Sequence, residues 1–355
     1  MSTKWATMLE ATVAPAGSTG SAAQTVMENS VDKAQLVDLS SISIVDIEGD
    51  DAAAFLQGQF CNDLSRVSST QAQISGYCTP KGRLLALPTV TGTNTGFRLL
   101  VPADIRDGFL QRLSMFVMRS KVTIAHRPDC LCTGVLADAD GDLGQLSRSL
   151  GALPGSPMDV ATSDAMQIIR WHDDQTADSR ARYLLLASED KQLELWAACP
   201  DMPKLGAAVW RLGDISAGVP GVRTGVQEAF VPQMLNLQLI DALSFTKGCY
   251  PGQEIVARMQ YLGKLKRHMR RFRLPPDASG SVSIPLPGTP LHAHEDTDAG
   301  VVVDAILGTH GQAELLAVVK VSAPANKLTV DGQVLVALDL PYVLPTAEDA
   351  RANAG

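Results

Sequence analysis

The sequence predicts an α+β protein that ends in a small antiparallel β-barrel or sandwich. Three observations predict it. Strand-like and helix-like patterns alternate between residues 41 and 199. Beyond about residue 299 only strand patterns recur. Asp331-Gly332 sits between two of them, and Asp-Gly suits the type I′ turn of a hairpin.

The elements follow in order. "SISIVDIEG" alternates like a strand, and Asp50-Asp51 leads into a helical "AAAFLQGQF". "QAQISGYCT" and "RLLALPTV" flank "PKG", a hairpin signal. "FRLLVP" is a strand. Asp104 is placed to cap a helix over residues 105–120, where Leu110, Leu113 and Val117 recur at helical spacing. "KVTIA" completes this first unit. "CLCTGVLA", a helical "GDLGQLSRSLG", then "AMQIIRW" and "RYLLLAS" repeat the rhythm, and Ser188 is placed to cap "EDKQLELWAAC". The Pro- and Gly-rich "RLPPDASGSVSIPLPGTP" interrupts the pattern before the last strands. Residues 1–34 and 345–355 have few large apolar side chains and read as disordered tails. Residues 35–265 then form an α+β region of two subdomains, interleaved or consecutive, and residues 266–344 the barrel.

Composition narrows the function. The chain has 355 residues, 45% hydrophobic and 19% charged, as expected of a soluble multidomain protein. A net charge of −8 opposes whole-protein attraction to nucleic acid or anionic lipid. No apolar run approaches the roughly 20 residues of a membrane span, and the N-terminal segment has neither a basic n-region nor an apolar core. The six cysteines show no CxxC pair or ladder, so reduced thiols and a cytoplasmic location are expected.

"TKGCYPGQE", Thr246 to Glu254, holds the chemistry. "GQEIVARMQYL" reads as a helix, with Ile255, Met259 and Leu262 on one face and Glu254 and Arg258 at i, i+4 on another. Pro251 suits its opening and Gly263 its C-terminal cap. Cys249 therefore precedes a helix N-terminus, where free N–H groups and the helix dipole favour a thiolate, with Lys247 adding charge nearby. Gly248 and Gly252 let a ligand approach the backbone. A reactive or metal-ligating thiolate is one reading. A buried cysteine in a strand–turn–helix joint is the plainer one.

"SFTKGCYPGQEIVAR" closely resembles the signature segment of the YgfZ family of folate-binding proteins. "FLQGQFCNDL", "GYCTPKGRLL", "AGVPGV", "FVPQMLNLQLIDALSF" and "YLGKLKR" resemble further family segments in order, so the likeness spans residues 36 to 344. It implies an arrangement like the T-protein of the glycine cleavage system, with two α+β domains and a C-terminal antiparallel β-barrel around a central channel that holds tetrahydrofolate. It also implies an accessory role in iron–sulfur protein maturation or repair and in tRNA methylthiolation, without independent turnover.

On this resemblance Cys249, with Lys247, is the working thiol and a transient iron–sulfur ligand, with no permanent metal. Trp210, Tyr250, Gly252, Gln253, Glu254 and Arg258 are the expected folate contacts, and iron–sulfur client or assembly proteins the expected partners. Three positions depart from the pattern. Leu39 stands where a second tryptophan is expected, and Ser216 where some members carry a carboxylate. "RLLALPTV" lacks the aspartate used for aminomethyl transfer, so a one-carbon transferase of the T-protein type is the alternative reading.

"GKLKRHMRRFR" supplies Lys264, Lys266, Arg267, Arg270, Arg271 and Arg273. RNA, an acidic protein or the carboxylate tail of folate would suit it. A solvated strand at the start of the barrel, with no aromatic platform, is the plainer reading.

Overall fold

The computed structural model describes residues 3–12, 34–137, 143, 146–163, 165–175, 180–261, 265–277, 279–293, 296–308 and 311–345. In chain order, α1 is Thr3–Thr12, β1 Gln35–Asp38, β2 Ile42–Glu48 and α2 Ala52–Gln57. There follow β3 (Gln73–Ile74), β4 (Tyr77–Cys78), β5 (Leu84–Ala86), β6 (Thr89–Gly92), β7 (Gly96–Pro102), α3 (Arg106–Ser114), β8 (Thr123–His126) and β9 (Cys130–Ala137). Next come α4 (Leu146–Leu150), β10 (Val160–Ser163), β11 (Met166–Arg170), β12 (Ala181–Ser188), α5 (Glu189–Ala198), β13 (Lys204–Leu205), α6 (Ala207–Ser216) and α7 (Gln253–Tyr261). The last strands are β14 (Arg267–Leu274), β15 (Pro290–Ala293), β16 (Asp296–Leu307), β17 (Ala313–Lys320), β18 (Leu328–Val330), β19 (Gln333–Val334) and β20 (Val336–Leu338).

These elements form two compact units. Met1–Ala52, Arg66–Gln73 and Thr89–Ala217 make the first; Ala53–Ser65, Ile74–Pro88 and Gly218–Gly355 make the second. The division differs from a boundary at 265/266, because the segment around α2 and the β4–β5 hairpin belongs with the barrel.

The first unit holds a six-stranded sheet, β10-β11-β12-β9-β1-β13, and a five-stranded sheet, β3-β6-β7-β2-β8. All eight residues of β9 are buried, a run too apolar to alternate. Ser188 caps α5 as expected, its side chain accepting from the Lys191 N–H. Asp104 does not cap α3, whose N-cap is Ile105 without a side-chain bond, and the helix stops at Ser114.

Residues 3–12, expected in a disordered tail, are helical. The reason is Trp5, fully buried in the apolar core of this unit. Its ring meets Trp196 edge-on at 5.2 Å, and its indole N–H donates to Asp38 at 3.3 Å. The rest of the two expected tails lies outside the described residues, apart from Ala34 and Pro345.

In the second unit seven antiparallel strands run in the order β19-β18-β15-β16-β17-β14-β20. Leu335 links β19 to β20 and is itself in the apolar core, so the chain all but closes the barrel. Asp331 and Gly332 have φ of 48° and 81°, the left-handed pair a type I′ hairpin requires.

His268, on β14, is 5% exposed, and burial pushes its pKa down to about 4. Its unfolded value is near 6.5, so between pH 6.5 and 4 the unfolded chain binds more protons. Stability from this residue is present above pH 6.5 and lost as pH falls through 4. We expect about 2 kcal/mol less stability at pH 5 than at pH 7.5 from this group. Urea unfolding at both pH values should show that difference shrink in His268→Gln; an unchanged difference would refute the assignment.

Candidate functional site: a taut loop carrying one exposed thiol

The motif loop is built within the second unit. The β4–β5 hairpin turns through Thr79 to Gly82, with the Thr79 N–H donating to Arg83 O and the Gly82 N–H to Thr79 O, both at 2.8 Å. Gly82 has φ of +69°. Gly252 comes directly against this turn. Its φ is +84°, and a Cβ there would lie 2.5 Å from the Thr79 carbonyl oxygen and 2.6 Å from Gly82 Cα and N. The backbone that approaches Gly252 is thus the protein's own hairpin, not a ligand. Gly248, by contrast, faces open space.

Helix α7 starts one residue later. The Gln253 N–H donates to Tyr250 O, and the Val256 N–H to Gly252 O, both at 3.2 Å. Its anchor differs from expectation. Val256 is fully buried, and Gln233 Nε2 donates to its carbonyl at 2.7 Å, whereas Ile255 is exposed. The Gly252–Gly82 contact sets how the helix is turned. Glu254 and Arg258 are both exposed, without an ion pair between them among the described residues, and Gln253 is half-buried. Leu262, Gly263 and Lys264 lie outside the described residues.

Lys247 is buried. Its ammonium donates to Gln57 O at 2.6 Å and Phe60 O at 2.5 Å, serving the free carbonyls at the end of α2. The same nitrogen stands 5.2 Å from the Tyr250 ring centre. Burial lowers its pKa to about 8, opposed by nearby Cys61 and Asp63. The charge expected beside the thiol is therefore spent on holding the loop to α2. Tyr250 is buried under it, and burial raises its hydroxyl pKa, with Cys61 and Cys78 adding to the shift.

Cys249 is exposed; the other five cysteines are buried. Cys61 fills the space left by Gly76 and bonds the Ala242 carbonyl at 3.7 Å. The Cys78 thiol is pushed well up, first by its hydrogen bond with Cys61 and then by burial. These are packing cysteines. No three His, Cys, Asp or Glu side chains gather at metal-binding spacing among the described residues. The arrangement is a short loop tied at Lys247, Tyr250 and Gly252, with Gly248 and Cys249 free at its tip.

Trp210 belongs to the first unit and is 3% exposed. The Arg182 guanidinium lies 4.8 Å over its ring, and a Cβ at Gly134 would sit 2.7 Å from the indole. Leu39, in the position expected to hold a second tryptophan, is also buried. The stacking face expected for folate is thus taken by Arg182, and a ligand would need Arg182 to move. Ser216 is fully buried and donates to Asp174 at 3.1 Å. The carboxylate beside Trp171 and Arg182 is Asp214, which accepts from Trp171 Nε1 at 2.7 Å and pairs with Arg182 at 2.9 Å. Sequence reasoning missed Trp171, Arg182 and Asp214, because "IIRWHDD" and "ARYLLLAS" read as plain strands whose polar partners lie far along the chain.

On β14, Arg267 pairs with Asp298 and Arg271 with Glu314. The strand lies inside the barrel sheet, between β17 and β20, rather than running free in solvent. Two of its arginines are therefore already neutralised.

No family model matches the chain. The chain is 27% identical over 321 residues to the tRNA-modifying protein YgfZ of Colwellia psychrerythraea, covering 87% of this chain and 93% of that protein. It is 31% identical over 278 residues to the protein of the same name from Edwardsiella ictaluri, covering 75% of this chain and 82% of the other. In fold it resembles the glycine cleavage system aminomethyltransferase T from Bartonella henselae, with a TM-score of 0.67 and 15% identity over 94% of this chain and 91% of that one. No helix among the described residues is long and apolar enough to cross a membrane. With its motif loop, its C-terminal barrel and this degree of likeness, the chain belongs to the YgfZ family.

Proposed function

We propose that the protein is a folate-binding accessory factor for tRNA modification, acting on iron–sulfur enzymes or their assembly proteins through Cys249. The observation that carries this reading is the exposure of Cys249 alone among six cysteines, on a loop tied on both sides of it. A thiol held at a fixed place but open to solvent suits transient contact with a macromolecular partner. On deprotonation it supplies one ligand to an iron–sulfur species in transit. One thiolate does not retain a cluster that takes four. Likeness to the tRNA-modifying proteins of Colwellia psychrerythraea and Edwardsiella ictaluri supports the link to tRNA.

Folate is proposed from the family resemblance of the motif segments. The fit is incomplete, since Arg182 lies over the Trp210 ring. Leu84 and Ala86, on the second strand of the β4–β5 hairpin, are buried and offer no carboxylate for aminomethyl transfer. That weighs against the transferase alternative.

The test is Cys249→Ala. In the native protein one cysteine per chain should alkylate rapidly, and this label should vanish in the variant. Unfolding free energy should change by less than about 0.5 kcal/mol, as for other surface substitutions. Methylthiolated tRNA in a strain relying on the variant should fall at least tenfold. Full complementation by Cys249→Ala would refute the thiol reading. Calorimetric titration with tetrahydrofolate tests the cofactor separately: saturable binding is expected, and its absence removes folate without touching the thiol.

A further inference from the structure

Strand β14 carries two polar side chains that the barrel does not satisfy. Alternation places Phe272 and Leu274 inward, in the apolar core of the barrel. His268 and Arg270 have the same parity. They lie opposite Val319 and Ala317 of β17, both in that core, with no register shift between the strands. Two of the outward-facing arginines have acids: Arg267 has Asp298 and Arg271 has Glu314. The inward pair has none among the described residues. Arg270 Nε and His268 Nε2 are both buried without a hydrogen-bond partner among the described residues, and His268 as a whole is 5% exposed.

The place in the barrel is also distinctive. The β14–β20 ladder pairs only residues 271–273 of β14. At His268 and Arg270 the strand has β17 on one side alone, and the Met269 carbonyl on its other edge is met by the Asn236 side chain at 3.0 Å. The two unpaired groups thus lie beyond the end of one ladder.

A guanidinium whose Nε–H has left water without gaining an acceptor is costly, and an anion is the partner that offsets the cost best. Arg270 offers a fork of N–H donors matched to a planar or tetrahedral oxyanion, and His268 in its Nε2–H tautomer adds a neutral donor beside it.

We propose that Arg270 and His268 form an oxyanion site on the inner wall of the C-terminal barrel, taking the carboxylate or phosphate group of a small molecule. The site belongs to the second unit alone and does not depend on the role of Cys249.

The experiment uses the full chain at pH 7 and constant ionic strength, titrated calorimetrically with inorganic phosphate in one arm and glutarate in the other. Saturable binding of at least one probe is expected. Phosphate alone identifies a phosphate source, and glutarate alone a carboxylate. Arg270→Met, which keeps the length and apolar stem, should weaken that binding at least tenfold. His268→Gln, which keeps an N–H donor, should weaken it less, and Arg273→Met, on the outward face, should leave it unchanged. Without probe, Arg270→Met should be at least as stable as the parent protein, because an unpaired cation has been removed; a merely structural arginine would show the reverse. Failure of both probes to bind the parent, or equal binding by Arg270→Met, overturns the site.

Discussion

Replacing Gly252 with alanine is expected to lower stability by about 3 kcal/mol and to disable the motif loop while leaving its cysteine in place. Two costs add. A non-glycine residue at φ +84° pays for a left-handed backbone, about 1–2 kcal/mol. The new methyl would also stand 2.5 Å from the Thr79 carbonyl and 2.6 Å from Gly82, both backbone atoms that no rotamer change can clear. Overpacking of this kind costs about 1–3 kcal/mol. The hairpin and the start of α7 must part, releasing the loop that positions Cys249. Chemical unfolding should show the loss, and Cys249 alkylation should change in the folded variant, whereas Gly248→Ala, facing open space, should do neither. A Gly252→Ala protein within 0.5 kcal/mol of the parent would show that the contact is not structural.

Asp46→Ala should cost about 3–5 kcal/mol. Asp46, on β2, is 4% exposed and lies directly opposite Arg98 on β7. Arg98 binds both its oxygens, Nε to Oδ1 at 2.7 Å and an Nη to Oδ2 at 2.9 Å, and Arg127 adds a third bond at 2.7 Å. Arg127 keeps Asp129 when Asp46 is lost, but Arg98, with a side chain only 17% exposed, has no second acid among the described residues. The penalty is therefore chiefly that of a stranded, largely desolvated cation. Asp46→Leu with Arg98→Met should recover most of it, since an apolar pair of similar volume needs no compensation. Urea unfolding of the two single variants and the double decides the matter. If the double is as unstable as Asp46→Ala, packing and not charge is responsible.

The local features of this fold were legible because their causes lie within a few residues. Ser188 caps its helix through the Lys191 N–H, three residues on. Asp331-Gly332 turns a hairpin because only small or short polar residues tolerate its backbone angles. The motif helix and its position after Cys249 were read from Pro, Gly and periodicity. Its buried face was not: Val256 rather than Ile255 is its anchor, since a helix of nine residues is oriented by what its first turn touches. The N-terminal helix was missed because one tryptophan in a polar, low-complexity segment carries no periodic signal. Its buried place depends on Trp196 and Asp38, which lie elsewhere in the chain.

By itself the sequence determined the α+β class, the C-terminal barrel, the family and the thiol worth testing, because periodicity, turn chemistry and a contiguous motif are properties of neighbours in the chain. Only the tertiary structure decided what each polar group of the site is for. Lys247 serves carbonyls 190 and 187 residues away, Gly252 makes room for a distant hairpin, and Arg182 rather than a ligand covers Trp210. The partner of a buried charge is set by which surfaces meet in space, and no local pattern encodes that meeting.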